Sequence, residues 1–197
     1  MIDEQLYSDI AGIYGKVASW AVWEKAGEKP KSNISNMDVL DVRKNPSTLH
    51  ALRTDVVMVA LNFAREVEMH EPFLNFHDPN PHGQDYKIRF AFEGTECYGA
   101  YMTDIIKDFP MLSSKDVLKH LKENPKEITK QVNAFEDELG FIGSNKPKIL
   151  AFGKDAYNIL NKHMNRDAYS ELIALTHYSH QISKENYRID THKKLGI

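Results

Sequence analysis

The feature that most constrains the fold is a run of six apolar residues, Val56 to Leu61, between the charged Asp55 and the polar Asn62. A run this short cannot cross a membrane, since a spanning helix needs about 20 apolar residues. Its β-branched residues favour a buried strand of a parallel sheet. Ligands bind beyond the carboxyl ends of such strands in open α/β sheets. Asn62 is therefore the first candidate for chemistry, although a simple turn after the strand would explain it too.

The length of 197 residues is enough to bury a full core. We expect one domain over residues 1–197, with residues 1–50 as a helical extension packed on it. The single cysteine, Cys97, excludes an internal disulfide and any multi-cysteine zinc or iron–sulfur site within the chain. The N-terminus is acidic and lacks the apolar segment of a secretory signal, so we expect a cytoplasmic protein. We also expect a monomer without membrane contact.

Hydrophobic periodicity and breaker residues predict an alternation of helices and strands. Besides the central strand, we predict strands at 101–106, 146–152 and 171–176. Helices are predicted at 3–24, at 113–140 with a break at Asn124-Pro125, at 154–163 and at 184–195. Residues 26–44 and 65–94 are predicted to be irregular, because they are rich in polar residues, glycine and proline. The order predicts a three-layer α/β/α sandwich around a four-stranded, mainly parallel sheet.

Charge is distributed unevenly along the chain. The net charge is −3, but residues 143–197 carry nine Lys/Arg against five acids, which leaves −7 for the rest. This asymmetry permits a basic face that binds nucleic acid, and a solvated helix surface explains it about as well.

The polar residues elsewhere in the chain offer two further candidate sites. The first consists of metal-ligand types in the long polar stretch: His70, His77, Asp78 and His82. Their spacing matches no ligand pattern, so we predict no metal site. The second is Asp104, a carboxylate inside an apolar strand. A buried acid needs hydrogen bonds or a partner, so Asp104 is either capped by backbone or part of a site.

The order of motifs resembles the uracil-DNA glycosylase superfamily, over roughly residues 54–195. The matching blocks are Ala60-Leu61-Asn62-Phe63, Thr103-Asp104-Ile105-Ile106-Lys107 before Pro110, Phe135 to Leu139, Lys146 to Ala156, and His177-Tyr178-Ser179. Each motif alone is weak, but their order and spacing together are fairly specific.

The chain departs from the family pattern at several positions. Phe63 and Tyr178 replace prolines, Ala60 replaces a glycine, and the four cysteines of the iron–sulfur branches are absent. Asp104 stands where many members use asparagine to read uracil. An amide both donates and accepts, whereas a carboxylate only accepts and would repel uracil O4. A base edge with two donors, or a protonated Asp104, would suit the position better.

The resemblance implies a monofunctional DNA glycosylase that needs no cofactor and has DNA as its partner. It assigns Asn62 to positioning a water and His177 to donating a hydrogen bond to the departing base. Base contacts would come from Phe63, Phe73, Phe76 and Asp104, and phosphate contacts from Ser179, Lys184 and Arg188.

Two alternatives stay open. The chain has the features of a member of the same fold that has lost catalysis and binds nucleic acid or another partner. It is also compatible with an unrelated α/β enzyme acting on a small nucleotide or sugar phosphate. Against the latter, Gly153-Lys154-Asp155 lacks the flanking pattern of a phosphate-binding loop.

Overall fold

The computed structural model describes residues 2–63, 71–78, 80, 82–108 and 113–197. The described strands are β1 (Ser19–Trp20), β2 (Arg53–Asn62), β3 (Ala100–Ile106), β4 (Lys148–Phe152) and β5 (Glu171–Leu175). The described helices are α1 (Glu4–Tyr14), α2 (Thr48–Ala51), α3 (Tyr86–Phe92), α4 (Ser114–Glu123), α5 (Pro125–Phe141), α6 (Lys154–His163) and α7 (Lys184–Leu195). Short 3₁₀ turns lie at Met37–Leu40 and Arg166–Ala168. The predicted α/β class is confirmed.

The sheet is mixed and has five strands in the order β1-β3-β2-β4-β5. The four longer strands pair in parallel, as predicted, and β1 adds a short antiparallel edge to β3 that the sequence did not indicate. The count of four predicted strands was therefore one too low. Because β2 to β5 run in the same direction, their carboxyl ends meet at one edge of the sheet.

Helices cover both faces of the sheet, and a separate apolar cluster lies on each. One cluster combines the odd-numbered β2 residues Val57 and Val59 with side chains of α1, α4, α5 and α6. The other combines Met58 and Ala60 with side chains of α3 and α7. The alternation of side chains along β2 decides which residues reach which face.

The predicted helix 3–24 is wrong beyond Tyr14. Its apolar periodicity continues past α1, but Ser19 and Trp20 pair with β3 and are fully buried in the sheet. Ile13, one of the apolar residues at helical spacing on which the helix prediction rests, is 60% exposed. Tertiary pairing with β3 overrides the local helical pattern here.

The predicted irregular stretch 65–94 contains α3, which the sequence analysis missed. The guanidinium of Arg89 on this helix is buried and donates to the carbonyls of Glu24, Ser32 and Pro30. Burial lowers the pKa of Arg89, opposed by Glu93 and Glu24. One side chain thereby ties the irregular 24–32 segment to the body of the protein.

Most of the other predicted helix and strand limits are confirmed to within a few residues. The break at Asn124-Pro125 separates α4 from α5, and α6 and α7 have the predicted limits. The Ser183 side chain accepts a hydrogen bond from Asn186 N–H (3.1 Å), as a helix cap should. The predicted strand end at Pro110 lies outside the described residues. No helix in the described part of the chain is long and apolar enough to cross a membrane.

Candidate functional site at the strand ends

The candidate site lies at the carboxyl edge of the parallel strands. Asn62 is the last residue of β2 and pairs in register with Ile106 of β3, while Ala60 pairs with Asp104. Residues that pair directly, and residues two apart on one strand, share a face of the sheet. Asn62 and Asp104 therefore point to the face covered by α3 and α7, with Asp104 one step deeper.

His177 follows β5 in a tight turn that fixes its tautomer. His180 N–H donates to the His177 carbonyl (2.9 Å) and closes the turn. Ser179 N–H donates to His177 Nδ1 (3.2 Å), and Ser179 Oγ lies 2.8 Å from the same nitrogen. Because a backbone N–H can only donate, Nδ1 is the acceptor and the neutral ring carries its proton on Nε2.

An apolar environment keeps His177 neutral. Its ring stacks on Tyr178 with centroids 4.4 Å apart, and Tyr178 in turn contacts Phe152 (5.4 Å) and Phe76 (6.3 Å) edge-on. A Cβ placed on Gly153, at the exit of β4, would lie 3.4 Å from the His177 side chain. Burial lowers the pKa of His177 to about 4. At neutral pH the ring is an uncharged donor through Nε2.

The loop of residues 73–77 holds two strained aromatic residues, of which Phe76 contacts this cluster. Phe73 and Phe76 have φ angles of 66° and 62°, in the left-handed region that bulky residues avoid. The strain is held by surrounding hydrogen bonds: Ser19 Oγ donates to the Phe73 carbonyl (2.6 Å) and Trp23 Nε1 to the Phe76 carbonyl (3.3 Å). Strain of this kind clusters at functional sites, which makes the loop a candidate wall of the site.

His77 anchors the same loop rather than a metal. Its Nδ1 lies 3.0 Å from the Asn75 carbonyl and its Nε2 lies 3.0 Å from the Val22 carbonyl. The ring is fully buried and stacks on Trp23 at 5.3 Å. Among the described residues, no group of three or more His, Cys, Asp or Glu side chains could hold a metal ion, and His70 lies outside them.

Asp104 has a partner that the sequence did not reveal. Asn75 Nδ2 donates to Asp104 Oδ2 (3.0 Å) and also to the Val17 carbonyl (2.9 Å). Asp104 is 3% exposed, so this amide offsets part of the cost of burying a carboxylate. Asp104 therefore has a side-chain partner, which the sequence did not indicate. Asn75 is therefore a site residue that sequence reasoning missed, and no local signal marks it.

The predicted base-contact aromatics are not equivalent. Phe63 directly follows β2, is partly buried, and donates its N–H to the Ile106 carbonyl (3.0 Å). Phe76 is buried against Tyr178 at the strand ends. Phe73 instead packs in the core against Tyr7 (5.1 Å) and Trp20 (6.3 Å). Phe73 is thus engaged away from the strand ends, which leaves Phe63 and Phe76 for a base.

The predicted phosphate contacts are also distributed differently. Ser179 is exposed and supports His177. Arg188 donates to the carbonyls of Phe90 and Glu93, and so caps the end of α3. Lys184 pairs with Glu185 and its ammonium lies 4.3 Å from the centre of the Phe90 ring. The guanidinium of Arg188 is therefore used within the protein.

A buried ion pair joins two of the blocks that the sequence analysis singled out. Lys107 Nζ lies 2.6 Å from Glu138 Oε2, and Glu138 Oε1 accepts from Tyr101 (2.8 Å) and Thr103 (2.9 Å). Glu138 is 1% exposed. Burial and the Glu138 carboxylate raise the pKa of Tyr101 well above its usual value. This network holds α5 against β3 from the face opposite Asp104.

A cleft of about 640 Å³ lies elsewhere, between α1 and the 37–44 segment. Tyr7, Asp38, Asp41, Arg43 and Phe73 are among its lining residues. The cleft shares two features with the strand ends: strained Phe73 lines it, and a hydrogen bond from Arg43 lowers the pKa of Asp41. Asn62, Asp104 and His177, however, are not among its lining residues. We therefore place the candidate chemistry at the strand ends.

Comparison with known proteins adds no assignment. The chain matches no protein-family model, no curated protein and no solved structure.

Proposed function

We propose that this protein is a monofunctional DNA glycosylase, which hydrolyses the N-glycosidic bond of a deaminated or otherwise damaged base flipped out of the stack. The observation that carries the proposal is the neutral His177. Its Nδ1 is occupied by Ser179, and its Nε2–H has no hydrogen-bond partner among the described residues. A fixed, uncharged donor at a strand end is what a departing base with a developing negative oxygen requires.

The dimensions of the strand ends support a nucleoside between Asn62 and His177. β4 lies between the strands that carry these residues. Two steps of about 4.8 Å between neighbouring strands separate them by roughly 10 Å at the sheet edge. A sugar with its base fits such a gap when the nucleotide is flipped out of the stack, as in base-excision enzymes. Phe76 or Phe63 would then lie against the base.

The proposed mechanism is a hydrolysis in which the departing base takes the electron pair. Asn62 orients a water near the anomeric carbon; an amide is a poor base, so the water attacks as the C1′–N bond breaks. The water oxygen bonds to C1′ and its surplus proton passes to solvent. The pair of the broken bond goes to the base, whose oxygen accepts from His177 Nε2–H, and the base then takes a proton from water.

Asp104 bears on which base is recognised. Its carboxylate lies on the same sheet face as Asn62, and Asn75 holds one of its oxygens. An ionised carboxylate accepts from donors and repels a carbonyl. We therefore expect a base edge rich in N–H donors to be preferred over uracil. Asp104→Asn should improve the relative rate on uracil, and an unchanged base preference would remove Asp104 from base reading.

A second candidate function is nucleic-acid binding by a glycosylase-like protein that has lost catalysis. The observation favouring it is that Tyr178, where the family has proline, packs between His177 and the Phe76–Phe152 pair. A filled aromatic cluster leaves less room for a base. Turnover separates the two candidates.

The deciding experiment is a strand-cleavage assay on single- and double-stranded oligonucleotides carrying uracil, hypoxanthine, xanthine or an alkylated base. Asn62→Ala and His177→Ala should each lower base release by about 10²–10³-fold, the usual effect of removing a polar group that acts in the transition state. His180→Ala is the matched control, since its exposed ring lies in the same turn and its backbone makes the contacts.

Failure would be informative in two forms. An inactive protein that still binds the oligonucleotides would favour the non-catalytic candidate. An inactive protein without binding would remove the nucleic-acid proposal altogether.

A further inference from the structure

Lys87 is a buried cation with an unusual partner. It lies on α3 and is 3% exposed, yet the hydrogen bond of its ammonium is to a backbone carbonyl, that of His180 (2.8 Å). Burial, and then the neighbouring Lys31 ammonium, lower the pKa of Lys87. The Lys31 ammonium itself lies 5.4 Å from the centre of the Tyr86 ring, beside Lys87 in sequence. Lys31 is thus a second cation that acts on Lys87.

Lys87 lacks a compensating acid in the described part of the chain. No ion pair of its ammonium with a described carboxylate is formed, and the electrostatic neighbour that shifts its pKa is another cation. An ammonium has three donors, and the His180 carbonyl takes one. Burying a cation without a counter-charge is costly, so such an arrangement is expected where an anion completes it.

The location of Lys87 points to the nature of that anion. His180 closes the turn that carries His177 and Ser179, so Lys87 holds the turn from the side of α3. We propose that Lys87 binds a phosphate group at the 177–180 turn. Assigning that phosphate to the backbone of a bound oligonucleotide rests on the proposed function, whereas a free phosphate at the same place does not.

This assignment adds a residue to the phosphate contacts expected from the sequence. Arg188 was expected to contact phosphate but caps α3, and Lys184 is paired with Glu185. Lys87 falls in the stretch predicted to be a loop, where nothing suggested a phosphate contact. Its position is set by α3 and by a contact 93 residues away in the chain.

The test compares Lys87→Met, Lys87→Arg and Lys148→Met in the full chain. Lys148 is the first residue of β4, at the amino-terminal end of the parallel strands and so opposite the candidate site, and it is the matched control. Binding of a fluorescent oligonucleotide is measured over a range of salt, and inorganic phosphate is titrated in a thermal-shift assay at constant ionic strength. We expect Lys87→Met to weaken oligonucleotide binding and to lower the salt slope by about one, while Lys148→Met changes neither. Lys87→Arg should bind like the wild type.

Each outcome decides between the possibilities. If phosphate stabilises the wild type but not Lys87→Met, and oligonucleotides do not bind, the site takes free phosphate and the glycosylase proposal fails alone. If the wild type releases bases and Lys87→Met matches it in oligonucleotide binding and salt slope, the phosphate site is wrong and the glycosylase proposal stands. Equal weakening in Lys87→Met and Lys148→Met would also overturn the site.

A second measurement uses the wild-type protein, in case Lys87→Met does not fold. Limited acetylation followed by peptide mass spectrometry reports the reactivity of each lysine. A saturating oligonucleotide, or phosphate, should protect Lys87 and leave Lys148 unchanged. Bound oligonucleotide and phosphate that both leave Lys87 as reactive as before would refute the proposal.

Discussion

Replacing His177 with asparagine isolates the effect of one buried imidazole on stability. Asparagine Oδ1 takes the place of Nδ1 as acceptor for Ser179 N–H, so the turn is retained while the titration is removed. In the folded protein burial lowers the pKa of His177 to about 4 from its ordinary 6.5. The unfolded chain therefore binds a proton that the folded protein refuses, and stability is lost as pH falls from 6.5 towards 4.

The magnitude follows from the two pKa values. At pH 5 the full shift corresponds to about 2 kcal/mol, and about 1 kcal/mol after allowing for solvent at the partly buried ring. For a chain of this size, 1 kcal/mol changes the melting temperature by about 2–4 °C. Above pH 6.5 the imidazole is neutral in both the folded and the unfolded chain, so no stability is lost there. The free energy of unfolding is therefore compared between a neutral and a mildly acidic buffer.

Urea unfolding of the wild type and His177→Asn at about pH 7 and pH 5 measures the effect. The wild type should lose about 1–2 kcal/mol more than the variant between the two buffers. His50→Asn, which replaces an exposed histidine on α2, controls for the removal of any histidine and should behave like the wild type. An equal loss of unfolding free energy in the wild type and in His177→Asn would refute the conclusion that the His177 imidazole is neutral and desolvated.

Three further predictions concern the scaffold. Tyr187→Phe should leave the free energy of unfolding unchanged or raise it, and thermal denaturation measures this. Among the described residues the buried Tyr187 hydroxyl forms no well-formed hydrogen bond and only a weak interaction with the Thr191 hydroxyl. Lys107→Met should destabilise by about 3–5 kcal/mol in urea unfolding, because it leaves the Glu138 carboxylate buried and unpaired; Lys107→Met with Glu138→Gln should recover part of the loss. Gly153→Ala should cost about 1–3 kcal/mol, since φ is 94° and ψ is 157° there, a region that essentially only glycine adopts, and should lower any base release, because the new methyl group would lie 3.4 Å from the His177 side chain.

The parts of the fold that were predicted have strong local causes. The run of six apolar residues from Val56 to Leu61 is short and rich in valine, which favours a strand buried on both faces. The limits of α6 and α7 follow from Gly153 before the one and the Ser183 cap before the other. Where the sequence itself carries the start and stop signals, the structure agrees.

The parts that were missed depend on distant contacts. Trp20 continues a helical pattern, but pairing with β3 places it in a strand. The bond from Asn75 to Asp104 spans 29 residues, and that from Lys87 to His180 spans 93. No local periodicity encodes such pairs. The sequence therefore indicated the residues at the strand ends but not the side chains that hold them in place.

The two-residue strand β1 has a consequence for how this chain avoids self-association. β3 is buried along its whole length, and without Ser19 and Trp20 its outer edge would present unpaired backbone groups beside an apolar surface. Such an edge is a template for pairing with another molecule. A chain shortened to begin near residue 51 would therefore be expected to aggregate, so the N-terminal segment protects the sheet as well as packing on it.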